Sequence, residues 1–181
     1  GYTELFETAV KGIRNQNELA QESSEVADFW NMLQGFQTSG KCIDKAHYHI
    51  RYLKSFRPLS AKEDIEFMEA RPVLYLNMAA VASLFNSRNM NATANRSNWS
   101  TIMSYLKSHS SYLGLKQDRF TILLPSGLPD YTIEVVNGEQ VRKVKVNRPK
   151  ALCFDYLQLK DAFGLELETE VITDIQDSEN I

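Results

Sequence analysis

The sequence predicts an α+β fold: a winged helix-turn-helix-like core with antiparallel hairpins, preceded by an N-terminal helical pair. Three observations predict it. Met78, Val81, Ala82 and Phe85, and then Trp99, Ile102, Met103 and Leu106, each recur at helical spacing and give one apolar face. Apolar, β-prone runs flank them at Val73–Leu76 and Phe120–Leu124. Asn137-Gly138, a strong two-residue hairpin signal, follows within the last third of the chain. Strand, helix, turn, helix and strand hairpin in that order is the winged arrangement.

Taken in order, Tyr2, Leu5, Phe6, Ala9, Val10 and Ile13 share one helical face, and Asn15-Gln16-Asn17 loosens that helix. Ser23 or Ser24 is a good N-cap for a second helix, which carries Val26, Phe29, Trp30, Leu33 and Phe36 and stops at Gly40. Tyr48–Leu53 alternates as a strand. Ser60–Ala70 gives conflicting signals, a capping box against alternation at Ile65 and Phe67, and is read as a hairpin into Val73–Leu76, with Asn77 capping the next helix. Beyond Leu124, a Pro/Gly turn leads to Tyr131–Val136, the Asn-Gly turn and a basic strand through Val146. Leu152-Cys153-Phe154 reads as a buried strand, Asp155 as the cap of a last helix and Gly164 as its stop. The acidic stretch after Glu166 reads as mostly mobile. The expected organisation is residues 1–57 for the helical pair and first strand, 58–165 for the winged core and 166–181 for the tail.

With 43% hydrophobic and 24% charged residues the chain can build a sizeable core. No apolar run nears the ~20 residues of a membrane span. The start, Gly1-Tyr2-Thr3-Glu4, has no secretory character and lacks an initiator Met, so the chain reads as a piece of a longer, cytoplasmic protein. Cys42 and Cys153 read as two buried free thiols, and the three sequons between Asn91 and Ser100 as chance matches in an Asn/Ser-rich run. The net charge of −3 conceals an asymmetry: residues 77–151 carry +6 and the rest −9. A basic middle between acidic ends fits a nucleic-acid face on an acidic body.

No catalytic signature survives inspection. Gly35–Cys42 nearly spells a nucleotide-binding P-loop, but Cys42 replaces the Mg²⁺-binding hydroxyl, and a helix precedes the segment where a strand belongs. Cys42, His47 and His49, completed from afar by His109 or Cys153, lack the paired spacing of a zinc site. No nucleophile elbow or buried carboxylate pair is visible, so no enzyme activity, metal, cofactor or small-molecule ligand is expected. The expected function is non-catalytic binding or positioning of DNA, with Arg88, Arg96, Asn98, Thr101, Lys107, Lys116, Arg119, Arg142, Lys143 and Lys145 as candidate contacts. The second helix of the pair presents Ser and Thr outward, suited to phosphates more than to base edges, so sequence preference should be weak. The alternative is a docking module for a partner through Val26, Phe29, Trp30 and Leu33.

Leu74-Tyr75-Leu76, Ser104–Ser108 with Tyr112-Leu113-Gly114, and Ala151–Lys160 followed by Phe163–Glu168 together resemble the C-terminal region of mobile-element replication proteins. These are the virulence-associated-protein-E-like and related primase–helicase ATPases of phages and integrative elements. Glu25–Arg51 is similar to the linker after their ATPase core. The resemblance implies a winged-helix accessory domain and the ATPase portion of the parent chain as a partner. It implies no catalytic residue here. The isolated chain is therefore expected to bind no ATP through Gly35–Cys42. Micromolar ATP affinity in calorimetry that disappears in Lys41→Ala would contradict this.

Overall fold

A computed structural model describes residues 1–88, 97–170 and the backbone of 172–173. It is a mixed α+β structure in which a sheet of five strands carries helices on one face. The chain begins with one helix, α1 (Tyr2–Thr38), where the sequence suggested two. Gly12 costs about 1 kcal/mol in a helix and Asn less, and neither stops one. No proline and no left-handed residue occurs before Gly40, so nothing turns the chain. Gly40 (φ 74°) follows the last turn, as expected of a helix stop. Only the C-terminal half of α1 is buried, through Val26, Phe29, Trp30 and Leu33.

Next come β1 (Tyr48–Phe56), β2 (Ile65–Asn77), α2 (Met78–Ser87), α3 (Trp99–Ser108) and β3 (Tyr112–Gln117). Then follow β4 (Phe120–Thr121), β5 (Tyr131–Val136), β6 (Glu139–Val144), β7 (Val146–Asn147), β8 (Lys150–Asp155), α4 (Tyr156–Phe163) and β9 (Ile172–Thr173). The main sheet runs β3-β8-β2-β1-β9, antiparallel except for the β1–β9 pair. β4–β7 and β5–β6 are separate two-stranded ladders. β1 therefore belongs to the sheet of the core, across the expected 57/58 boundary.

Period-two alternation assigns the two faces. Tyr48, Ile50, Leu74, Leu76, Leu152 and Phe154 point to the helices and pack with Phe29, Trp30, Val81, Phe85, Ile102, Leu106 and Leu159. Trp30 stands edge-on to Phe154 at 5.1 Å between centroids. Val73, Tyr75, Ala151 and Cys153 point the other way and meet Leu53, Phe56 and Phe120 in a smaller cluster. Asn77 caps α2 as expected: its Oδ1 accepts from the Ala80 N–H, and its Nδ2 donates to the Ala46 carbonyl. Asp155 stands at the N-cap of α4 but makes no capping bond there; its carboxylate accepts from Gln158 and pairs with Arg71. Gly114 (φ 139°) sits at a register shift of β3, where a Cβ would lie 2.7 Å from Pro58 Cβ, so only glycine fits.

The tail is held further than its composition suggested. Leu165 and Leu167 are buried, the Tyr48 hydroxyl donates to the Glu168 carbonyl, and Thr169 and Glu170 bond Asp44. Residues 171 and 174–181 lie outside the described residues. Among the described residues no helix is long and apolar enough to cross a membrane.

The two tryptophans differ in environment. Trp30 is 1% exposed, whereas Trp99 packs partly buried against Phe29 and Phe85. Trp30→Ala is expected to cost about 3–5 kcal/mol in urea denaturation, and Trp99→Ala clearly less. Equal losses would contradict this placement of α1.

Candidate functional site

The expected nucleic-acid contacts do not form one surface. Arg88 closes the end of α2: its guanidinium donates to the carbonyls of Phe85 and Ser97 at 2.7 and 2.8 Å and lies 3.3 Å from the Phe85 ring centroid. It is a structural clamp between α2 and α3. Asn98 accepts from both the N–H and the hydroxyl of Thr101 at 2.9 and 3.0 Å, so this pair caps α3. The Ser97 hydroxyl donates to the Glu25 carboxylate, which puts an acid of α1 beside the start of α3. That charge opposes a phosphate there. Arg96 lies outside the described residues.

The hairpin of β5 and β6 turns at Asn137 (φ 53°) and Gly138 (φ 83°), the two left-handed positions of a type I′ turn. Register puts Tyr131, Ile133 and Val135 opposite Val144, Arg142 and Gln140 on one face. Lys143 pairs with Glu134 at 3.5 Å and Lys145 with Asp130 at 3.2 Å, while Arg142 lies 5.7 Å from the Tyr131 ring. With Ile133 at 67% and Val135 at 69% exposure, this hairpin is as much apolar as basic. Each lysine has a carboxylate beside it, which offsets two of the three positive charges the sequence suggested there.

A better concentration of charge lies at one end of the β3–β8 ladder. Gln117 pairs with Lys150, and the Asp118 N–H bonds the Pro149 carbonyl, so residues 116–119 run beside 148–151. This puts Lys116, Arg119, Arg148 and Lys150 at one end of the ladder, with Lys116 on the open face beside Ala151 and Lys150 on the opposite face beside Gln117. Among the described residues none of the four has a carboxylate within ion-pair distance. Lys116 also lies 5.2 Å from the Phe56 ring. The sequence reading had Lys116 and Arg119 but missed Arg148 and Lys150. The signal was the Arg-Pro-Lys triplet at 148–150, whose proline holds the chain extended between two outward bases.

The only acid in that stretch, Asp118, turns inward. Arg51 grips it with two bonds, Nε to Oδ2 at 2.6 Å and Nη2 to Oδ1 at 3.1 Å. His49 Nε2 approaches Oδ2 to 3.2 Å, and its ring lies between Tyr75 and Phe120 with centroids 4.9 and 4.7 Å away. His49 Nδ1 is buried with no hydrogen-bond partner among the described residues. Burial alone would raise the Asp118 carboxyl, but the His49 contact and the Arg51 bonds and charge outweigh it and hold the group well below the usual carboxylate range.

The other sequence candidates resolve simply. Gly35–Cys42 is the end of α1 and the turn after it, with the N–H groups of Lys41 and Cys42 both bonded to the Phe36 carbonyl, so it has no free phosphate cradle. The Cys42 thiol is pushed up to about 12 by burial and by Asp44. His47 Nδ1 accepts from the Ile43 N–H. Among the described residues no group of three His, Cys, Asp or Glu side chains could hold a metal. The proposed docking face, Val26, Phe29, Trp30 and Leu33, is closed inside this chain, because the sheet needs cover on its apolar side. The exposed apolar residues of α1 are instead Tyr2, Leu5, Phe6, Ile13 and Leu19, between 58% and 94% exposed.

No protein-family model, curated protein or solved structure matches the chain.

Because the Asp118 carboxyl is depressed in the folded state, its contribution is fully present above the unfolded value of ~3.9 and is lost as pH falls toward the folded one. Asp118→Asn is expected to destabilise by about 3–5 kcal/mol at pH 7, as removal of one partner of a buried pair does. The gap from wild type should hold down to about pH 5 and close below ~4. A gap independent of pH would show that the carboxylate charge is not what Arg51 and His49 hold.

Proposed function

We propose that this domain binds nucleic acid through the phosphate backbone, without strong sequence preference, at the β3–β8 end carrying Lys116, Arg119, Arg148 and Lys150. The observation that supports this reading is four bases gathered at one edge of the sheet, on both its faces, whose one neighbouring acid is turned away and paired with Arg51. Unpaired bases gain most from releasing the counterions of a phosphate chain. The strand order supports a winged-helix character: α2 and α3 connect β2 to β3, and β8 returns between them. In that reading residues 118–149 are an elaborated wing. α3 offers Ser100, Ser104, Lys107 and Ser108 outward, and these are phosphate partners more than base readers. The resemblance to the C-terminal region of mobile-element primase–helicase proteins points the same way, toward an accessory, non-catalytic role in DNA replication.

One observation favours a second reading. The exposed apolar stripe on the first half of α1 suits docking to another part of a parent protein or to a partner. The two readings use different surfaces and are compatible.

Fluorescence anisotropy with labelled oligonucleotides over a salt series tests the first. Replacing Lys116, Arg119, Arg148 and Lys150 by Glu should weaken binding equally across sequences and flatten the log–log salt slope by about two to four units. Replacing Arg142, Lys143 and Lys145 by Glu should do less. An unchanged slope in the first variant would refute this placement, and absence of binding by wild type at low salt would refute the function.

A further inference from the structure

A second site lies on the open face of the sheet. The Thr121 N–H bonds the Lys45 carbonyl at 2.8 Å, which draws β4 against the start of β1. Between them is a cavity of about 180 Å³ lined by Lys45, His49, Arg51, Arg119 and Thr121, with Phe120 as apolar wall. Lys45, Arg51 and Arg119 border one small space with an imidazole and a hydroxyl, and among the described residues no carboxylate lines it, although Arg51 is paired with Asp118 and Lys45 with Glu170 beside it. Asp118 touches Arg51 and His49 but is absent from the lining.

Two features make this a built site rather than a chance gathering of bases. Asp118 fixes Arg51 through two bonds, so that guanidinium loses little freedom on meeting a ligand. Lys45 leaves from a left-handed backbone position, φ 67°, held by bonds from its N–H to Tyr48 O and Asp44 Oδ1 and by the Thr121 bond to its carbonyl. Such a conformation is disfavoured for a side chain like lysine and persists only where the surroundings enforce it. The Lys45 ammonium now pairs with Glu170, whose side chain is 82% exposed. That screened surface pair yields readily to a more highly charged anion.

We propose that this cavity seats the phosphoryl group of a phosphate monoester, namely the 5′-terminal phosphate of a nucleic-acid strand. The volume is below the ~300–1,000 Å³ of pockets for drug-sized ligands, a size that suits a phosphoryl group better than a whole nucleotide. A dianionic terminal group gains more from several converging cations than a monoanionic diester, and apolar walls strengthen that attraction. Arg119 belongs both to this cavity and to the β3–β8 basic end, so a strand seated here by its end would pass Lys116 and cross the β3 edge toward Arg148 and Lys150. This assignment rests on the nucleic-acid reading for its ligand and on the cavity alone for its chemistry.

Calorimetry with inorganic phosphate, and anisotropy with one oligonucleotide carrying either a 5′-phosphate or a 5′-hydroxyl, separate the two. The phosphorylated strand should bind about tenfold more tightly. Lys45→Ala and Thr121→Val, both away from the core, should each shrink that gap, while Arg148→Glu with Lys150→Glu should weaken both strands and keep it. Phosphate binding that is lost in Lys45→Ala, without binding of either strand, would support the cavity and overturn the nucleic-acid reading. Equal affinity for the two strands together with no phosphate binding would overturn the cavity proposal and leave the basic end standing. A gap unchanged in both Lys45→Ala and Thr121→Val would overturn it as well.

Discussion

The polar half of this structure depends on one carboxylate. Asp118 follows β3 and is gripped by Arg51 of β1, so the chain that leaves the sheet at its β3 edge is pulled back across the open face. The cost of burying two charges is met only when the geometry is good and the lone pairs are used. Here both carboxylate oxygens accept from the guanidinium, and Oδ1 also takes the Arg119 N–H at 2.8 Å. Three consequences follow. Phe120 is carried onto Tyr75 and His49 and closes the smaller core. Arg119 is left pointing out. The basic run from 116 to 119 loses its one neighbouring counter-charge, and the surface there becomes positive although the chain as a whole is acidic.

What the sequence made legible was local. Helical spacing in α2 and α3, the Asn77 cap, the Asn137-Gly138 turn and the alternating faces of β2 and β8 are all written within ten residues of themselves. Two local signals misled. Gly12 and the Asn-rich stretch weaken a helix without ending it, so α1 is continuous. The apolar face at Val26–Leu33 reads equally well as core or as docking surface, and only the helix-facing side of the sheet decides between them. The ion pairs were not legible at all. Arg51 and Asp118 lie 67 residues apart, and nothing near either names the other. A charge count could find a basic middle, yet it could not say that Lys143 and Lys145 stand beside Glu134 and Asp130 while Arg148 and Lys150 have no carboxylate within ion-pair distance among the described residues.

The pattern of free and paired bases moves the candidate interface from the hairpin and α3 to the end of the β3–β8 ladder. α3 is flanked by α1, through the Ser97 bond to Glu25 and the Trp99 contact with Phe29, so its N-terminal turn is crowded and acidic. The hairpin projects Ile133 and Val135 beside Arg142, a mixed surface better suited to lying over sugars or another protein than to following phosphates alone.

The central claim is that nucleic acid meets this domain where residues 116–119 run beside 148–151. Titrating the isotopically labelled protein with a short oligonucleotide, and following backbone amide shifts by NMR, tests it most directly. The account predicts the largest shifts at Lys116–Arg119 and Arg148–Lys150, with the first half of α1 unmoved. Shifts concentrated on α3 or on Tyr2–Leu19, or none at saturating oligonucleotide, would contradict it.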